Sequence, residues 1–90
     1  VYKRIFLHRM TLETTYILIF KKVLKINNIN KIKLVNAENA EKWDSLTHLR
    51  LVSELENVFN IIFKPNEILK FNSYNSGIKI IKKKLNKSTQ

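Results

Sequence analysis

The sequence predicts an all-α fold, and three observations support this prediction. Apolar residues recur at helical spacing, residues that favour helix starts precede these segments, and turn-forming asparagines separate the first two. The predicted helices cover residues 11–25, 45–59, 66–71 and 73–86. A long loop is expected between the first and second helices, and the third helix is short.

The first predicted helix begins at Thr11, a potential N-cap, and Glu13 favours its first turn. Its apolar residues are Tyr16, Ile17, Ile19, Phe20, Val23 and Leu24. After Lys25 an asparagine-rich stretch favours turns, and no clear periodicity returns before Trp43. We therefore expect a loop of about sixteen residues. Candidates for inward packing in this loop are found among Ile32, Leu34 and Val35.

The second predicted helix has two different faces when each residue is placed at about 100° from the last. The expected core face carries Leu51, Val52, Leu55, Val58 and Phe59. The opposite face carries Leu46, Leu49, Arg50, Ser53 and Asn57. We expect Asp44 to cap this helix through its carboxylate and Trp43 to pack over the first turn toward His48.

The C-terminal third of the chain predicts a short helix followed by a longer one. Pro65 suits the entry to the short helix, and Ser73 is a potential cap for the next. Gly77 lies inside this last helix and is expected to weaken it. The run Lys82–Lys84 is typical of a solvated face or of a helix C-terminus, where positive charge is favourable.

Length and composition restrict the class of protein. Ninety residues indicate one small domain. Because the chain has no cysteine, it can form neither a disulfide framework nor a cysteine metal site. We therefore expect a cytoplasmic protein. The apolar run Tyr16–Phe20 is far shorter than the ~20 residues that span a bilayer, so no membrane association is expected.

The net charge of +10 raises the alternative of a small basic helical nucleic-acid-binding domain, with residues 79–87 contacting phosphates. Residues 38–56 nevertheless carry five acidic and two basic side chains, which a DNA-binding helix would not predict.

Catalytic chemistry is not favoured by the sequence. His48 follows Ser45 by three residues, which is a weak arrangement for a nucleophile and its base, and the chain has a single glycine and no glycine-rich elbow. His8 and His48 are two isolated histidines and form no metal-binding pattern. We expect a protein that is not an enzyme and that holds no metal.

The stretch from Trp43 to Ile61, which contains Asp44-Ser45-Leu46 and later Leu55-Glu56 and Phe59, resembles the acyl and peptidyl carrier proteins. Residues 65–74 resemble the short third helix of that family and the loop after it, and residues 11–26 resemble its first helix. The resemblance implies a four-helix carrier-protein bundle with a carrier domain at residues 10–87 and a C-terminal tail at 88–90. Residues 1–9 lie outside it and are interpreted as an upstream extension or a non-native remnant.

The resemblance also implies a function, in which Ser45 carries a covalent 4′-phosphopantetheine arm and is flanked by Asp44 and Leu46. A phosphopantetheinyl transferase would supply the arm from coenzyme A. Enzymes that load and transfer acyl or aminoacyl groups would contact Leu46, Leu49, Arg50, Ser53, Glu54 and Asn57. Since the chain has no cysteine, the thiol needed for a thioester would arrive on the arm. Arg50 and Asn57 depart from the acid-rich helix usual in the family, which favours a dedicated carrier of a specialised biosynthetic pathway, and a monomer is expected.

Overall fold

A computed structural model describes residues 11–88, in which five α-helices surround one core. The helices are α1 (Leu12–Leu24), α2 (Ile29–Lys33), α3 (Ser45–Phe59), α4 (Pro65–Lys70) and α5 (Tyr74–Ser88). The prediction of an all-α fold is confirmed, because the part of the chain described here contains no β-strand and only one isolated bridge, between Asn36 and Ser73. The proposed N-terminal extension lies outside the described residues.

Helix α1 starts as the sequence predicts. The hydroxyl of Thr11 accepts a hydrogen bond from the backbone N–H of Thr14 at 3.0 Å. The helix ends at Lys25, which adopts the left-handed conformation with φ of 57°. One side of α1 is fully buried and contributes Tyr16, Ile19, Phe20 and Leu24 to the core.

The long predicted loop contains a short helix, α2, that the sequence pattern did not indicate. Asn28 starts it, because its side-chain oxygen accepts hydrogen bonds from the backbone N–H groups of Asn30 and Lys31. An asparagine that favours turns thus serves here as a helix N-cap. Ile32 and, just after α2, Val35 are buried, whereas Leu34 is exposed.

The segment after α2 is bound to the start of α5 by backbone hydrogen bonds. The N–H of Ala37 donates to the carbonyl of Asn72 at 2.8 Å, and the N–H of Tyr74 donates to the carbonyl of Val35 at 3.0 Å. As Ser73 was expected to do, its hydroxyl accepts a hydrogen bond from the N–H of Ser76 and caps α5. The connection between α1 and α3 is therefore held against the start of α5 by these hydrogen bonds.

Helix α3 buries the face that the sequence assigns to the core. Leu51, Val52, Leu55 and Phe59 are buried, and Val58 is half-buried. The helix ends at Asn60, which has a left-handed backbone with φ of 56°. The Glu56 carboxylate then accepts a hydrogen bond from the N–H of Phe63 at 2.8 Å, which holds the connection to α4 against the end of α3.

Phe71, between α4 and α5, is fully buried at the centre of an aromatic cluster. Its ring centroid lies 6.0 Å from that of Phe20 and 5.5 Å from that of Trp43, both in edge-to-face geometry. Gly77 packs against the same ring, and a Cβ at this position would overlap both the Tyr16 hydroxyl and the Phe71 ring. Although glycine has a low helix propensity, the close packing of α5 on the core requires it at this position.

An ion pair joins the two C-terminal helices. The ammonium group of Lys84 lies 2.6 Å from the Glu67 carboxylate, which also accepts a hydrogen bond from the backbone N–H of Lys64 at 2.8 Å. Pro65, expected at the entry to a helix beginning at residue 66, is the first residue of α4. None of the helices in residues 11–88 combines the length and the apolar character needed to cross a membrane.

Candidate functional site

The candidate site is built around the first turn of α3. The carboxylate of Asp44 accepts a hydrogen bond from the backbone N–H of Thr47 at 2.8 Å, so Asp44 is the N-cap that the sequence predicts. Hydrogen bonds from the backbone N–H of Thr47 and then from its side chain hold the pKa of Asp44 below its usual value. The cap is therefore ionised at neutral pH, where its negative charge complements the positive end of the helix dipole.

Ser45 is the first residue of α3 and is exposed. Its side chain makes no hydrogen bond to any residue within 11–88. The backbone N–H groups of Ser45 and Leu46 belong to the first turn of a fifteen-residue helix, where N–H groups lack intrahelical acceptors. The hydroxyl is thus accessible at a position that favours a negatively charged substituent.

Trp43 and His48 connect the start of α3 to α4. The indole N–H of Trp43 donates to Nδ1 of His48 at 2.9 Å, and Nε2 of His48 lies 2.8 Å from the carbonyl oxygen of Ile68. Because a carbonyl can only accept, Nε2 must carry the proton, and Nδ1 is then free to accept from the indole. The imidazole is therefore neutral, with both nitrogens engaged, and it is stacked on Trp43 with the ring centroids 6.0 Å apart.

This hydrogen bonding leaves His48 unsuited to act as a base for Ser45, although both residues line the same cleft. A general base needs an unprotonated nitrogen directed at the hydroxyl, and the only such nitrogen of His48 accepts from Trp43. Within residues 11–88, no group of three or more histidine or acidic side chains is arranged to bind a metal ion. His48 therefore has no free nitrogen to offer the Ser45 hydroxyl.

A cleft of about 420 Å³ opens beside Ser45, between the start of α3 and the segment containing α4. Trp43 and Phe71 are its buried aromatic residues. Leu49 and Leu69 stand at its edge and are both exposed, with 82% of the Leu69 surface accessible. The remaining lining residues are Ala37, Asp44, Ser45, His48, Ile68 and Asn72. The cleft is therefore largely apolar and has one carboxylate at its mouth.

The face of α3 that the sequence assigns to partners is open to solvent. Leu46 and Leu49 are 61% and 56% exposed, and Arg50, Ser53 and Asn57 are also exposed. Glu54 differs from these residues because its carboxylate lies 3.3 Å from the ammonium group of Lys22 on α1. The structure places Leu46, Leu49 and Ser45 at one end of α3, next to the cleft.

Sequence reasoning missed the contribution of α4 to this site. Ile68, Leu69 and Phe71 line the cleft, yet the six-residue helix is too short for a hydrophobic period to separate its faces. One signal was available, since Ile68 and Leu69 are adjacent on a short helix and cannot both point to the core. The exposed Leu69 adds to the apolar surface formed by Leu46 and Leu49.

Comparison of the chain with protein-family models, with curated proteins and with solved structures gave no match.

Proposed function

We propose that this chain is an acyl or aminoacyl carrier domain that bears a 4′-phosphopantetheine arm on Ser45. One observation carries the proposal: the serine of the Asp-Ser-Leu motif is exposed at the first turn of α3, at the mouth of an apolar cleft. The motif supplies the resemblance, and the geometry supplies a hydroxyl that a second protein can reach. In this proposal α1, α3, α4 and α5 are the four helices of the carrier bundle, and α2 belongs to the long first connection.

The residues around Ser45 fit the attachment of a phosphodiester. The Ser45 hydroxyl oxygen would form the new bond to phosphorus as the pyrophosphate bond of coenzyme A breaks, and adenosine 3′,5′-bisphosphate would leave. The serine proton would pass to a base of the transferase, because His48 already uses both of its nitrogens. The N-terminal turn of α3 would then stabilise the attached negative charge.

The arm, when attached, supplies the thiol that holds the cargo as a thioester. The protein contributes recognition and tethering, which raises the effective concentration of the cargo at each partner enzyme. Leu46, Leu49 and Leu69 form an exposed apolar surface around Ser45, and large exposed apolar residues near one another are typical of binding surfaces. We propose that partner enzymes dock on this surface, together with Arg50, Ser53, Glu54 and Asn57.

The proposal is tested by incubating the protein with coenzyme A and a phosphopantetheinyl transferase and then measuring its intact mass. Wild type should gain one phosphopantetheinyl unit, and Ser45→Ala should abolish the gain. Ser53→Ala is the matched control because Ser53 is an exposed serine on the same helix, and this variant should be modified like wild type. A gain that persists in Ser45→Ala, on Ser53, Ser73 or Ser76, would refute the assignment.

The alternative of a nucleic-acid-binding domain has one observation in its favour. Lys79, Lys82 and Lys83 are all exposed on α5 and could contact phosphates. Binding of duplex DNA that weakens steeply with salt, together with no mass gain at Ser45, would favour this alternative. The mass measurement concerns Ser45 on α3, whereas DNA binding concerns the lysines of α5. A change at one surface can therefore be interpreted without the other.

A further inference from the structure

A second cleft lies on the opposite side of α4 from the one beside Ser45. Its volume is about 750 Å³, and it lies between the connection after α3, α4 and the middle of α5. Glu67 and Lys70 of α4 line it, whereas Ile68 and Leu69 line the cleft at Ser45. The two clefts are therefore separate surfaces that share one short helix.

Positive charge dominates this second cleft. Four lysines and one glutamate line it, which leaves an excess of three positive charges. The single carboxylate, Glu67, is already bound by Lys84 and by the backbone N–H of Lys64. Lys64, Lys70 and Lys83 are exposed, and none of them forms an ion pair with any residue in 11–88. The charges of Lys70 and Lys83 are therefore available to a ligand, and Lys64, whose charge also helps to lower the pKa of Glu67, adds positive charge to the same cleft.

Between the lysines the cleft is lined by isoleucines. Ile61 is buried, Ile80 is half-buried, and Ile62 has 79% of its surface exposed to solvent. An exposed isoleucine beside three ammonium groups offers both apolar contact and charge to the same ligand. A ligand that matched both would need carboxylates or phosphates next to apolar groups.

We propose that this cleft binds an acidic protein segment whose carboxylates pair with Lys64, Lys70 and Lys83 and whose apolar side chains cover Ile62. Charge complementarity supports an acidic ligand. A single-stranded nucleic acid fits less well, because its bases stack on exposed aromatic rings and none of the residues that line this cleft is aromatic. Phe63, which follows Ile62 in the chain, is buried, and the ammonium group of Lys84 lies 5.9 Å from the centroid of its ring.

The test uses a fluorescent peptide with glutamates and leucines at helical spacing, a leucine-free peptide of equal charge, and duplex DNA. The peptide with leucines should bind best. Combining Lys70→Glu with Lys83→Glu should weaken its binding by more than about tenfold, since like charges then face each other. The matched control combines Lys79→Glu with Lys82→Glu, which changes the charge equally at two exposed α5 positions outside the cleft.

A third variant, Ile62→Ser, separates apolar contact from general attraction. It should weaken binding of the peptide with leucines by about tenfold, the effect of removing one large aliphatic contact, and leave the leucine-free peptide nearly unaffected. Three results would overturn the proposal: equal losses in the two double variants, tighter binding of DNA than of the peptide, or no saturable peptide binding below about 1 mM. The proposal does not depend on the modification of Ser45, and the transferase assay is unaffected by its failure.

Discussion

The indole N–H of Trp43 donates a hydrogen bond to Nδ1 of His48 at 2.9 Å, while Nε2 of the same ring lies 2.8 Å from the carbonyl of Ile68. The imidazole of His48, in the first turns of α3, thus joins Trp43, which precedes the Asp44 cap, to Ile68 in α4. These three parts surround the cleft beside Ser45. The two hydrogen bonds of His48 therefore link residues from three of the segments that line this cleft.

Replacing His48 should loosen this junction. His48→Phe keeps a ring against Trp43 and Phe71 but leaves the indole N–H and the Ile68 carbonyl without their partner, so we expect a loss of about 1–3 kcal/mol in the free energy of unfolding. His48→Gln can still accept from the indole and donate to the carbonyl, and it should lose less. Trp43 is the single tryptophan, so denaturant unfolding followed by its fluorescence measures both variants at the site. Equal stability of the phenylalanine variant and wild type would contradict the bridging role.

The two leucine faces of α3 should respond differently to truncation. Leu55 is fully buried, so Leu55→Ala should lower the free energy of unfolding by about 2–5 kcal/mol. Leu49 is exposed at the edge of the cleft, and Leu49→Ala should cost less than about 1 kcal/mol while slowing transfer of the phosphopantetheine arm to Ser45. Chemical denaturation and the transferase assay measure the two effects. If Leu49→Ala and Leu55→Ala lowered the free energy of unfolding equally, the assignment of one face of α3 to the core and the other to solvent would be wrong.

Replacing Gly77 by alanine should lower the stability of the protein, although alanine usually stabilises a helix relative to glycine. In an exposed helix the change usually gains about 0.5–1 kcal/mol. Here the added Cβ would overlap the Tyr16 hydroxyl and the Phe71 ring, so we expect a loss of about 1–3 kcal/mol. Lys79→Ala, at an exposed position on the same helix, is the control and should be nearly neutral. A thermal midpoint for Gly77→Ala at or above that of wild type would contradict the close packing of α5.

The Glu67–Lys84 ion pair should make stability depend on pH in the acid range. Partial burial acts to raise the pKa of Glu67, but hydrogen bonds from the Lys64 backbone and the Lys84 ammonium group outweigh it and lower the pKa from its usual 4.5. A lowered folded-state pKa contributes stability above the unfolded value, and this contribution is lost as the pH falls through the folded value. Glu67→Gln should therefore be less stable than wild type at neutral pH, by less than about 1 kcal/mol because the pair is near the surface, and the difference should vanish at low pH.

The measurement is the free energy of unfolding of both proteins from neutral pH to about pH 2, the lower end of the range over which salt-bridged carboxylates titrate. Glu41→Gln is the control, because it changes the net charge equally at an exposed glutamate. A difference from wild type that does not vary with pH in the Glu67 variant would contradict the role of the ion pair.

Arg50 should restrict the partners of the proposed carrier. With Lys22, Lys25 and Glu54 it lines a cleft between α1 and α3, and because Lys22 is paired with Glu54, Arg50 and Lys25 leave this cleft positive. In the proposed carrier this positive charge would face the partner enzymes. Arg50→Glu should improve transfer by a fatty-acid synthase ketosynthase or transacylase, most clearly at low salt. Lys79→Glu on α5 changes the charge equally and should have little effect. If wild type already matched an ordinary fatty-acid carrier, a dedicated pathway would lose its support.

The sequence by itself determined those helices that have strong local signals, and it determined the position of Ser45 at the start of one of them. Thr11, Asp44 and Pro65 act at helix starts as expected, because capping and proline geometry depend on a few neighbouring residues. The core face of α3 follows from its period, since fifteen residues are enough to separate two sides. The position of Ser45 at a helix start could be predicted for the same reason.

Only the tertiary structure decided which distant segments meet. The cleft beside Ser45 needs Ile68, Leu69 and Phe71, which come from a six-residue helix and the connection after it, where no period can be measured. The requirement for Gly77 is set by Tyr16, sixty-one residues earlier in the chain, and the tautomer of His48 is set by the carbonyl of Ile68. Such contacts depend on packing between elements, which local propensity and periodicity do not specify.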